Sequence, residues 1–416
     1  MKYGLIGEKL PHSFSAIIHG KIADYDYELK ELKRSELKEF MLARNFRAVN
    51  VTIPYKQEVI KYLDDISLSA EKIGAVNTVV NKNGKLKGFN TDYLGLKSLI
   101  EKNGVSLKGK TVLILGSGGT SLTAAAVCED MGAGIIKRVS RTEKEGLITY
   151  GDLPDFYTAE IIINTTPVGM YPDIDYSPLD LSPFKNLEAV FDVIYNPLRT
   201  ELVLQAKELG VKAEGGLYML VAQAVYASEY FLDKRYDKSI IDKVYYKLLA
   251  ERENIVLSGM PGSGKSTVGK ILADDLDKAF VDTDEEIEKS RGIGISAIFE
   301  NHGEAYFRNL ESEVIKEISR NASGSVISLG GGAVLKSENV KRLKKNGRIY
   351  FLNRSLEDIL PTSDRPLASD RQALEKRYNE RIETYISTCD KEIKVDASAE
   401  GVAEKIRKDC CYENEN

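Results

Sequence analysis

The chain has 416 residues, of which 29% are charged, and its formal net charge is -5. This length allows two or three domains with separate cores. Because no long basic run is present, we expect no nucleic-acid partner. An apolar run of about 18 residues and a signal-peptide pattern are also missing, so we expect a cytoplasmic protein without a membrane span. The four cysteines lack the spacing of a metal site or disulfide framework, which fits a reducing compartment.

Short apolar runs alternate with helical patterns along the chain, which predicts an α/β fold. The strand candidates are Tyr3–Ile6, Ala48–Val51, Thr111–Leu115, Ile135–Val139, Ile161–Asn164 and Ala189–Asp192. The helix candidates are Tyr93–Glu101, Ser121–Met131, Glu201–Leu209, Leu217–Leu232 and Ile240–Glu253. A new strand follows the last helix without a Gly- or Pro-rich linker, so we place a domain boundary near Ala250–Asn254.

Two charged residues in the first hundred positions lie at the ends of predicted secondary-structure elements. Lys56 lies just past a strand and a proline, and Asp92 lies at an expected helix start. A lysine and an aspartate can form a general acid–base couple. The spacing alone favours a surface lysine and a helix N-capping aspartate, so the catalytic interpretation needs further support.

A glycine-rich turn follows the strand Thr111–Leu115. It consists of Gly116, Ser117, Gly118 and Gly119. Such a turn lets backbone amides approach a pyrophosphate, and the next helix adds its N-terminal dipole. The following strand ends in Ser140, Arg141 and Thr142, without the acidic residue that binds the ribose 2′-hydroxyl in NAD enzymes. Arg141 can pair with a 2′-phosphate, so the sequence favours NADP.

A second, different glycine loop, Gly259–Ser266, follows the apolar run after Asn254 and matches the P-loop pattern. In such loops the backbone amides hold phosphates, the lysine reaches the β- and γ-phosphates, and the serine binds Mg²⁺. The predicted ATP-binding residues here are Gly262, Ser263, Gly264, Lys265, Ser266 and Thr267.

Three polar patterns follow the P-loop. Asp282 and Asp284 end an apolar run at positions i and i+2, so both would project on one side of a strand, where one could serve Mg²⁺ and the other an acceptor hydroxyl. The same pattern is also compatible with two carboxylates in a loop that have no functional role. Arg308 and Glu311 lie one helical turn apart, which alone fits a surface pair. Gly330–Gly332 ends a strand and allows close ligand approach.

Residues 1–250 resemble shikimate dehydrogenase in several motifs that occur in the family's order. These motifs are His12–Ser15, Asn50–Lys56, Gly74–Thr78, Asn90–Asp92 and Asn164–Met170. The resemblance implies that Lys56 and Asp92 are catalytic. It implies substrate binding by Ser13, Ser15, Thr52, Asn77, Tyr195 and Gln223. It implies NADP binding by Gly116, Ser117, Gly118, Gly119, Ser140, Arg141, Thr142, Met170 and Gly216.

The same resemblance implies a split fold for this half. Residues 1–104 with 216–250 would form the shikimate-binding domain, and 105–215 a Rossmann-like NADP-binding domain. The chain departs from many members at Leu122 and Glu145, where those members have basic residues, and Ser140 replaces the usual Asn. Lys144 is adjacent to the second of these positions and could substitute for the basic residue there. The strictness of the NADP preference therefore stays open.

Residues 254–416 resemble shikimate kinase through the P-loop, the Asp-x-Asp pair, the Phe-Arg-x-x-Glu segment, the triple glycine and an Arg-Pro-Leu lid. The implied domain is a P-loop, nucleoside-monophosphate-kinase-like α/β domain over residues 251–416. The resemblance implies that Ser266 and Asp282 serve Mg²⁺ and that Asp284 contacts the acceptor hydroxyl. It implies shikimate binding by Asp284, Arg308, Gly331, Gly332 and Arg381, and ATP binding by Arg365 in the lid.

The two resemblances share a metabolite, because the product of the first enzyme is the substrate of the second. We therefore predict a bifunctional shikimate-pathway enzyme of aromatic amino-acid biosynthesis, a monomer or homodimer. It would reduce 3-dehydroshikimate with NADPH and phosphorylate shikimate with ATP and Mg²⁺. Two alternatives stay open: a quinate/shikimate dehydrogenase that uses NAD, fused to the kinase, and a sensor that binds nucleotide and shikimate without turnover.

Overall fold

The structure is a computed structural model that describes residues 1–10, 13–359 and 371–412, with the backbone alone at residue 373. The predicted site residue Arg365 and the motif residue His12 lie outside these ranges. The chain divides into two compact units, Met1–Tyr245 and Tyr246–Asn416. The division falls inside one continuous helix, a few residues before the boundary that the sequence suggested.

The first unit begins with a mixed six-stranded sheet. Its elements are β1 (Tyr3–Gly7), α1 (Ser15–Ile22), β2 (Tyr27–Glu31), α2 (Arg34–Ala43), β3 (Ala48–Val51), β4 (Asp65–Ile66), α3 (Leu68–Ile73), β5 (Thr78–Lys82), β6 (Lys85–Phe89) and α4 (Thr91–Lys102). The strand order is β2-β1-β3-β5-β6-β4, and β5 runs antiparallel to β3 and β6. The two-residue turn Asn83-Gly84 has positive φ at both positions, as tight hairpins require.

The first unit continues with a second six-stranded sheet. Its elements are β7 (Thr111–Leu115), α5 (Gly119–Asp130), β8 (Ile135–Ser140), β9 (Ile148–Thr149), β10 (Ile161–Asn164), β11 (Ala189–Asp192), α6 (Glu201–Glu208) and β12 (Lys212–Glu214). The order is β12-β11-β10-β7-β8-β9, and every pairing is parallel. Because β7 lies between β10 and β8, the order reverses beside it. Ligands of such sheets bind outside the carboxyl ends at this point.

Two helices follow the second sheet, α7 (Leu217–Leu232) and α8 (Ser239–Arg252). The apolar α7 is buried along most of its length and packs on α4. The approach is close: a Cβ atom on Gly95 of α4 would lie 2.6 Å from the carbonyl oxygen of Met219. The chain thus returns from the second sheet to the first, and Gln223 on α7 lies beside α4.

The second unit holds one parallel five-stranded sheet in the order β14-β15-β13-β16-β17. Its elements are β13 (Asn254–Ser258), α9 (Lys265–Leu276), β14 (Phe280–Asp282), α10 (Thr283–Arg291), α11 (Ile295–Asn321), β15 (Val326–Ser328), α12 (Ser337–Asn346), β16 (Gly347–Asn353), α13 (Arg371–Thr388), β17 (Lys391–Lys394) and α14 (Ala399–Cys410). The long α11 is interrupted by non-helical backbone at Gly303. Buried aliphatic and aromatic side chains cover both faces of this sheet.

The α/β class and its parallel sheets are confirmed. The predicted strands Ala48–Val51, Thr111–Leu115, Ile161–Asn164 and Ala189–Asp192 have the observed bounds. In the described part of the chain, no helix is long and apolar enough to cross a membrane.

Candidate active sites

Lys56 and Asp92 form a salt bridge beside the first sheet, with 2.6 Å between Lys56 Nζ and Asp92 Oδ2. The side chains are 22% and 14% exposed, so the pair is neither a surface contact nor sealed from solvent. Asp92 lies in the first turn of α4, but the N-cap is Asn90, whose side chain accepts a hydrogen bond from Tyr93 N. The capping role that the sequence suggested for Asp92 is therefore wrong, and its carboxylate is available to Lys56.

Asn77 lies next to this pair as a buried amide. Its Oδ1 accepts hydrogen bonds from Thr91 N at 2.7 Å, Thr91 Oγ1 at 3.2 Å and Thr78 Oγ1 at 3.1 Å. Thr91 Oγ1 also lies 3.4 Å from Gln223 Oε1. Because Thr91 precedes Asp92, the structure brings together the predicted residues Lys56, Asp92, Asn77 and Gln223.

The predicted serines and Tyr195 lie in a second part of this region. Ser15 opens α1, and its backbone N–H donates to Ser13 Oγ at 3.3 Å. The ring of Tyr195 packs on Phe14 between the serines, with 5.4 Å between centroids. Burial raises the pKa of Tyr195, which keeps its hydroxyl a hydrogen-bond donor. Thr52 directly follows β3, with its N–H bonded to Ile6 O.

The glycine turn after β7 fits a pyrophosphate. Gly116 has φ +121, and a Cβ there would lie 2.5 Å from Thr165 Oγ1, so only glycine fits. Hypothetical Cβ atoms on Gly118 and Gly119 would meet nothing within 4 Å. Among the described residues, no side chain caps α5, which begins at Gly119. Open space therefore borders Gly118 and Gly119 at the start of α5, where an anion could accept hydrogen bonds from backbone amides.

Basic residues lie next to this turn at the end of β8. Ser140 is buried and accepts a hydrogen bond from Thr142 N at 3.3 Å, while Arg141 is exposed. Lys144 Nζ donates to Ser117 Oγ at 3.3 Å, so it reaches the glycine turn. Arg141 and Lys144 together fit the 2′-phosphate of NADP. The sequence named Lys144 only as a substitute for the basic residue missing at position 145, and the fold adds its contact with Ser117.

Two further predicted NADP residues follow strands of the second sheet, Met170 after β10 and Gly216 after β12. Met170 is exposed. Gly216 is the N-cap of α7, and a Cβ there would lie 2.2 Å from the carbonyl oxygen of Val193. A side chain at position 216 would therefore push α7 away from the segment after β11.

The P-loop of the second unit fits a nucleotide phosphate. Gly262 and Gly264 have φ values of +82 and +96, the left-handed conformation that glycine tolerates. Lys265 Nζ donates to the carbonyl oxygens of Gly259 and Met260, each at 3.0 Å. Ser263 Oγ is buried and has no hydrogen-bond partner in the described part of the chain. A buried hydroxyl without a partner at the start of α9 can donate to a phosphate oxygen.

Ser266 and Asp282 form a pair beside the P-loop, with Ser266 Oγ donating to Asp282 Oδ2 at 2.8 Å. Asp282 also caps α10, because its Oδ1 accepts from Asp284 N at 3.0 Å. The strand alternation expected for Asp282 and Asp284 is wrong, since β14 ends at Asp282 and Asp284 is already helical. No cluster of three or more acidic, His or Cys metal ligands occurs among the described residues. One hydroxyl and one carboxylate fit Mg²⁺, which keeps water and phosphate ligands.

The triple-glycine turn after β15 packs directly on the neighbouring functional side chains. Added Cβ atoms would lie 2.5 Å from Asp284 Oδ1 at Gly330, 2.9 Å from Pro261 Cδ at Gly331 and 2.2 Å from Arg308 Nη1 at Gly332. The turn therefore brings the P-loop, Asp284 and Arg308 close together.

Arg308 forms a buried ion pair with Glu311, with 2.8 Å between Nη1 and Oε2 and only 1% of Glu311 exposed. The surface pair that the spacing favoured is therefore wrong. Burial raises the pKa of Glu311 to about 6, although the charge of Arg308 opposes this change. Arg381 is also buried, and its Nη1 donates to Gly331 O at 3.1 Å. Two guanidinium groups thus converge on the glycine turn, an arrangement that suits a carboxylate ligand.

Comparison with known proteins identifies both halves. The family model of the shikimate dehydrogenase substrate binding domain matches residues 5–79, and the shikimate kinase model matches residues 261–411. The shikimate dehydrogenase (NADP(+)) of Clostridium perfringens strain SM101 is 37% identical over 264 residues, which cover 59% of this chain and 97% of that protein.

Solved structures show the same relationship. Shikimate dehydrogenase 1 from Peptoclostridium difficile has a TM-score of 0.56 and 37% identity, and covers 60% of this chain and 98% of its own. The Thermus thermophilus enzyme, solved in complex with NADP(H) and shikimate, has a TM-score of 0.54 and 30% identity, and covers 59% and 98% of the two chains. The chain therefore belongs to the shikimate dehydrogenase family over its N-terminal part and carries a shikimate kinase domain after it.

Proposed function

We propose that this bifunctional shikimate-pathway enzyme reduces 3-dehydroshikimate with NADPH and then phosphorylates the shikimate with ATP. One observation carries the proposal: a single chain holds the Lys56–Asp92 pair in a shikimate dehydrogenase fold, and Asp284 and Arg308 beside one glycine turn in a shikimate kinase domain. The product of the first reaction is the substrate of the second.

In the reductase site, bound NADPH supplies the hydride for the C3 carbonyl carbon. The Lys56 ammonium donates the proton that the resulting oxygen needs, so ketone, hydride and proton give the alcohol. Asp92, 2.6 Å from Lys56 Nζ, holds the ammonium in place. The partial exposure of both side chains lets solvent return the proton after each turnover.

Shikimate is a polyhydroxylated ring acid, and the surrounding side chains match that chemistry. Hydroxyls and amides hold such a ligand and reject apolar analogues, because unpaired polar groups are costly. The proposed ligand contacts are Ser13, Ser15, Thr52, Asn77, Tyr195 and Gln223. The two serines are assigned to the carboxylate.

We assign NADP to the crevice at the carboxyl end of β7. The amides of the glycine turn, Gly116–Gly119, would hold the pyrophosphate, and Arg141 and Lys144 the 2′-phosphate. Ser140 and Thr142 would line the adenosine side, with Met170 and Gly216 on the nicotinamide side. The favoured cofactor is NADP because two cations, and no carboxylate among residues 140–142, lie at this strand end.

In the kinase site, ATP with Mg²⁺ supplies the phosphoryl group. The P-loop amides, Lys265 and Thr267 would hold the phosphates, and Ser266 with Asp282 would hold the metal. Asp284 would accept the proton of the attacking shikimate hydroxyl. Arg308 and Arg381 would pair with the shikimate carboxylate beside Gly331 and Gly332.

The domain assignment follows the sheets. We assign residues 1–104 with 216–250 to shikimate binding, 105–215 to NADP binding and 251–416 to the kinase. The proposed partners are the small-molecule substrates alone, and a cytoplasmic location and a monomeric or homodimeric state stay predictions.

The decisive experiment supplies 3-dehydroshikimate, NADPH and Mg-ATP to the purified chain and measures NADPH oxidation and shikimate 3-phosphate. Without ATP the reaction should stop at shikimate, and without NADPH no phosphorylated product should form. Ligand binding without turnover would favour the sensor instead. Equal rates with NADH, and oxidation of quinate as fast as shikimate, would favour the quinate/shikimate dehydrogenase.

A further inference from the structure

A chain of hydrogen-bonded polar side chains, partly buried at Tyr27 and buried beyond it, crosses the first unit from its edge strand to α7. Tyr27 Oη donates to Asn50 Oδ1 at 2.8 Å, and Asn50 Nδ2 donates to Thr78 Oγ1 at 3.0 Å. Thr78 Oγ1 lies 3.1 Å from Thr91 Oγ1, which lies 3.4 Å from Gln223 Oε1. All five residues belong to the first unit, and the chain ends at the proposed substrate site.

Backbone groups determine which way each amide in this region points. Asn50 Nδ2 lies 3.3 Å from Asn77 O, which can only accept a hydrogen bond. Asn77 Oδ1 lies 2.7 Å from Thr91 N, which can only donate. Gln223 Nε2 donates to Leu220 O at 2.9 Å. The three amides therefore each have one orientation.

This orientation determines what Asn77 offers to a ligand. Its Oδ1 already accepts from Thr91 N, Thr91 Oγ1 and Thr78 Oγ1. Its Nδ2 has no partner in residues 1–10, 13–359 and 371–412. Asn77 therefore offers N–H groups, and the ligand atom facing it must be an acceptor such as a hydroxyl or carbonyl oxygen.

The hydroxyl of Thr78 holds this arrangement together. Because Asn50 Nδ2 donates to Thr78 Oγ1, the single Thr78 proton is free for Asn77 Oδ1 or Thr91 Oγ1. We propose that Thr78 is a positioning residue of the shikimate site, which sets the amide of Asn77 with its N–H groups toward the substrate, and that Tyr27 supports it through Asn50. This inference rests on the proposed dehydrogenase function.

Removing the Thr78 hydroxyl should leave the fold in place. Asn50 keeps its bond to Asn77 O, and Asn77 keeps its bonds to Thr91. What is lost is one of the three bonds that hold Asn77 Oδ1, so the amide can turn its oxygen toward the ligand. The loss should weaken substrate binding more than it slows the chemical step, because Thr78 forms no hydrogen bond with Lys56 or Asp92.

The test compares Thr78→Val and Thr78→Ser in the full-length chain. Valine keeps the branched shape without the hydroxyl, and we expect the dehydrogenase KM for shikimate to rise by about 3- to 10-fold, with kcat within about twofold, as for loss of one hydrogen bond. Serine keeps the hydroxyl and should restore the KM. The kinase KM for shikimate, measured on the same samples, should not change.

A second pair of variants tests the support from Tyr27. Tyr27→Phe keeps the ring, which stacks on His19 at 3.9 Å between centroids, and removes the hydroxyl that binds Asn50. Tyr25→Phe is the matched control, because the Tyr25 hydroxyl bonds His19 in the same aromatic cluster. We expect a higher dehydrogenase KM for Tyr27→Phe and an unchanged KM for Tyr25→Phe.

Analogues of shikimate that each lack one ring hydroxyl complete the test. The wild type should bind the analogue that lacks the oxygen facing Asn77 more weakly than it binds shikimate. In Thr78→Val the difference in affinity between these two ligands should be much smaller, which would show that Thr78 and this ligand oxygen are coupled. If the wild type shows no dehydrogenase activity, the proposed function fails rather than this inference. The inference is overturned if the wild type is active and Thr78→Val has the same KM for shikimate. It is also overturned if both kcat and the melting temperature fall in Thr78→Val and Thr78→Ser does not restore them. If Thr78→Val does not fold, an unchanged KM in Tyr27→Phe overturns it.

Discussion

Gly332 lies against Arg308 so closely that a Cβ atom there would be 2.2 Å from Nη1 of the guanidinium group and 2.3 Å from its Cζ. Since Arg308 is also tied to Glu311, it cannot move aside without breaking a buried ion pair. The missing side chain at position 332 therefore determines where the positive charge of Arg308 is placed.

We expect Gly332→Ala to raise the kinase KM for shikimate roughly 10- to 100-fold, because a charge-assisted hydrogen bond to the carboxylate is lost. The KM for ATP should change much less. Steady-state kinetics with each substrate varied measures both values. Gly294→Ala is the control, since its Cβ would meet only Glu288 Oε1, at 3.5 Å. Equal effects of the two variants would remove Arg308 from the proposed carboxylate site.

Lys56→Ala should lower the dehydrogenase kcat by roughly 10²- to 10⁴-fold, the usual size of general acid–base assistance. The kinase reaction of the same protein should be nearly unchanged and serves as an internal control. Lys61→Ala removes a similar charge from an exposed pair with Glu58 and should leave both rates intact. A Lys56→Ala protein with most of its reductase rate would exclude Lys56 as the proton donor.

Arg141→Ala should raise the KM for NADPH by roughly 10- to 150-fold and the KM for NADH much less, because only NADPH carries the 2′-phosphate. Lys144→Ala should shift the same ratio in the same direction by a smaller factor, since Lys144 Nζ bonds Ser117 in the present arrangement. Lys185→Ala, on the surface of the same sheet domain, is the charge-matched control. Equal losses with both cofactors would show that Arg141 does not read the phosphate.

His19 should make the first unit sensitive to mild acid. Burial lowers the pKa of His19 from 6.5 to about 3, so below pH 6.5 the unfolded chain binds a proton that the folded chain does not. Stability present above pH 6.5 is therefore lost as the pH falls toward 3, at about 1.4 kcal/mol per pH unit. Pulse proteolysis in urea between pH 7 and pH 5.5, with fragments separated by size, follows this change in the full chain.

The matched variants for this measurement are His19→Phe and His302→Gln. Phenylalanine keeps a ring beside Tyr27 and removes the titrating group, so the first unit should become less sensitive to pH over this range. His302 is exposed on α11, and its replacement should leave the pH profile of the first unit as in the wild type. If His19→Phe keeps the wild-type pH profile, buried His19 is not the source of the acid sensitivity.

Much of the sheet architecture was predictable because the strands that carry the sites are buried on both faces. β7 and β10 read as continuous apolar runs for that reason, and their bounds matched the structure. β2 was missed, since four of its five residues are exposed and no apolar run marks it. Periodicity also misplaced Asp284, because the side chain of Asp282 begins a helix where the alternation rule assumed a strand.

The residues of the candidate sites also differ in how far the sequence could predict them. The family resemblance implied a catalytic role for Lys56 and Asp92, whereas their spacing alone did not, and only the fold shows the 2.6 Å contact between them. The roles of Thr78 and Glu311 depend on tertiary contacts or on burial, so no local pattern distinguishes them from surface residues. Lys144 was named for its position beside Glu145, but its contact with Ser117 appears only in the fold. Glu311 was named only as the partner of Arg308, and its burial could not be inferred from a three-residue spacing.

The helix α8 matters for any experiment that expresses the two units as separate fragments. Asp242, in its first half, accepts a hydrogen bond from Tyr218, and the carbonyl oxygen of Ala250, near its end, accepts one from Lys278 at 2.8 Å. Neither unit can be excised with this helix intact, because the division between Tyr245 and Tyr246 falls inside it. Overlapping pieces, residues 1–252 and 239–416, would give each fragment its own copy of the helix. We expect them to express as more soluble proteins than pieces 1–245 and 246–416, a difference that yield and melting temperature would show.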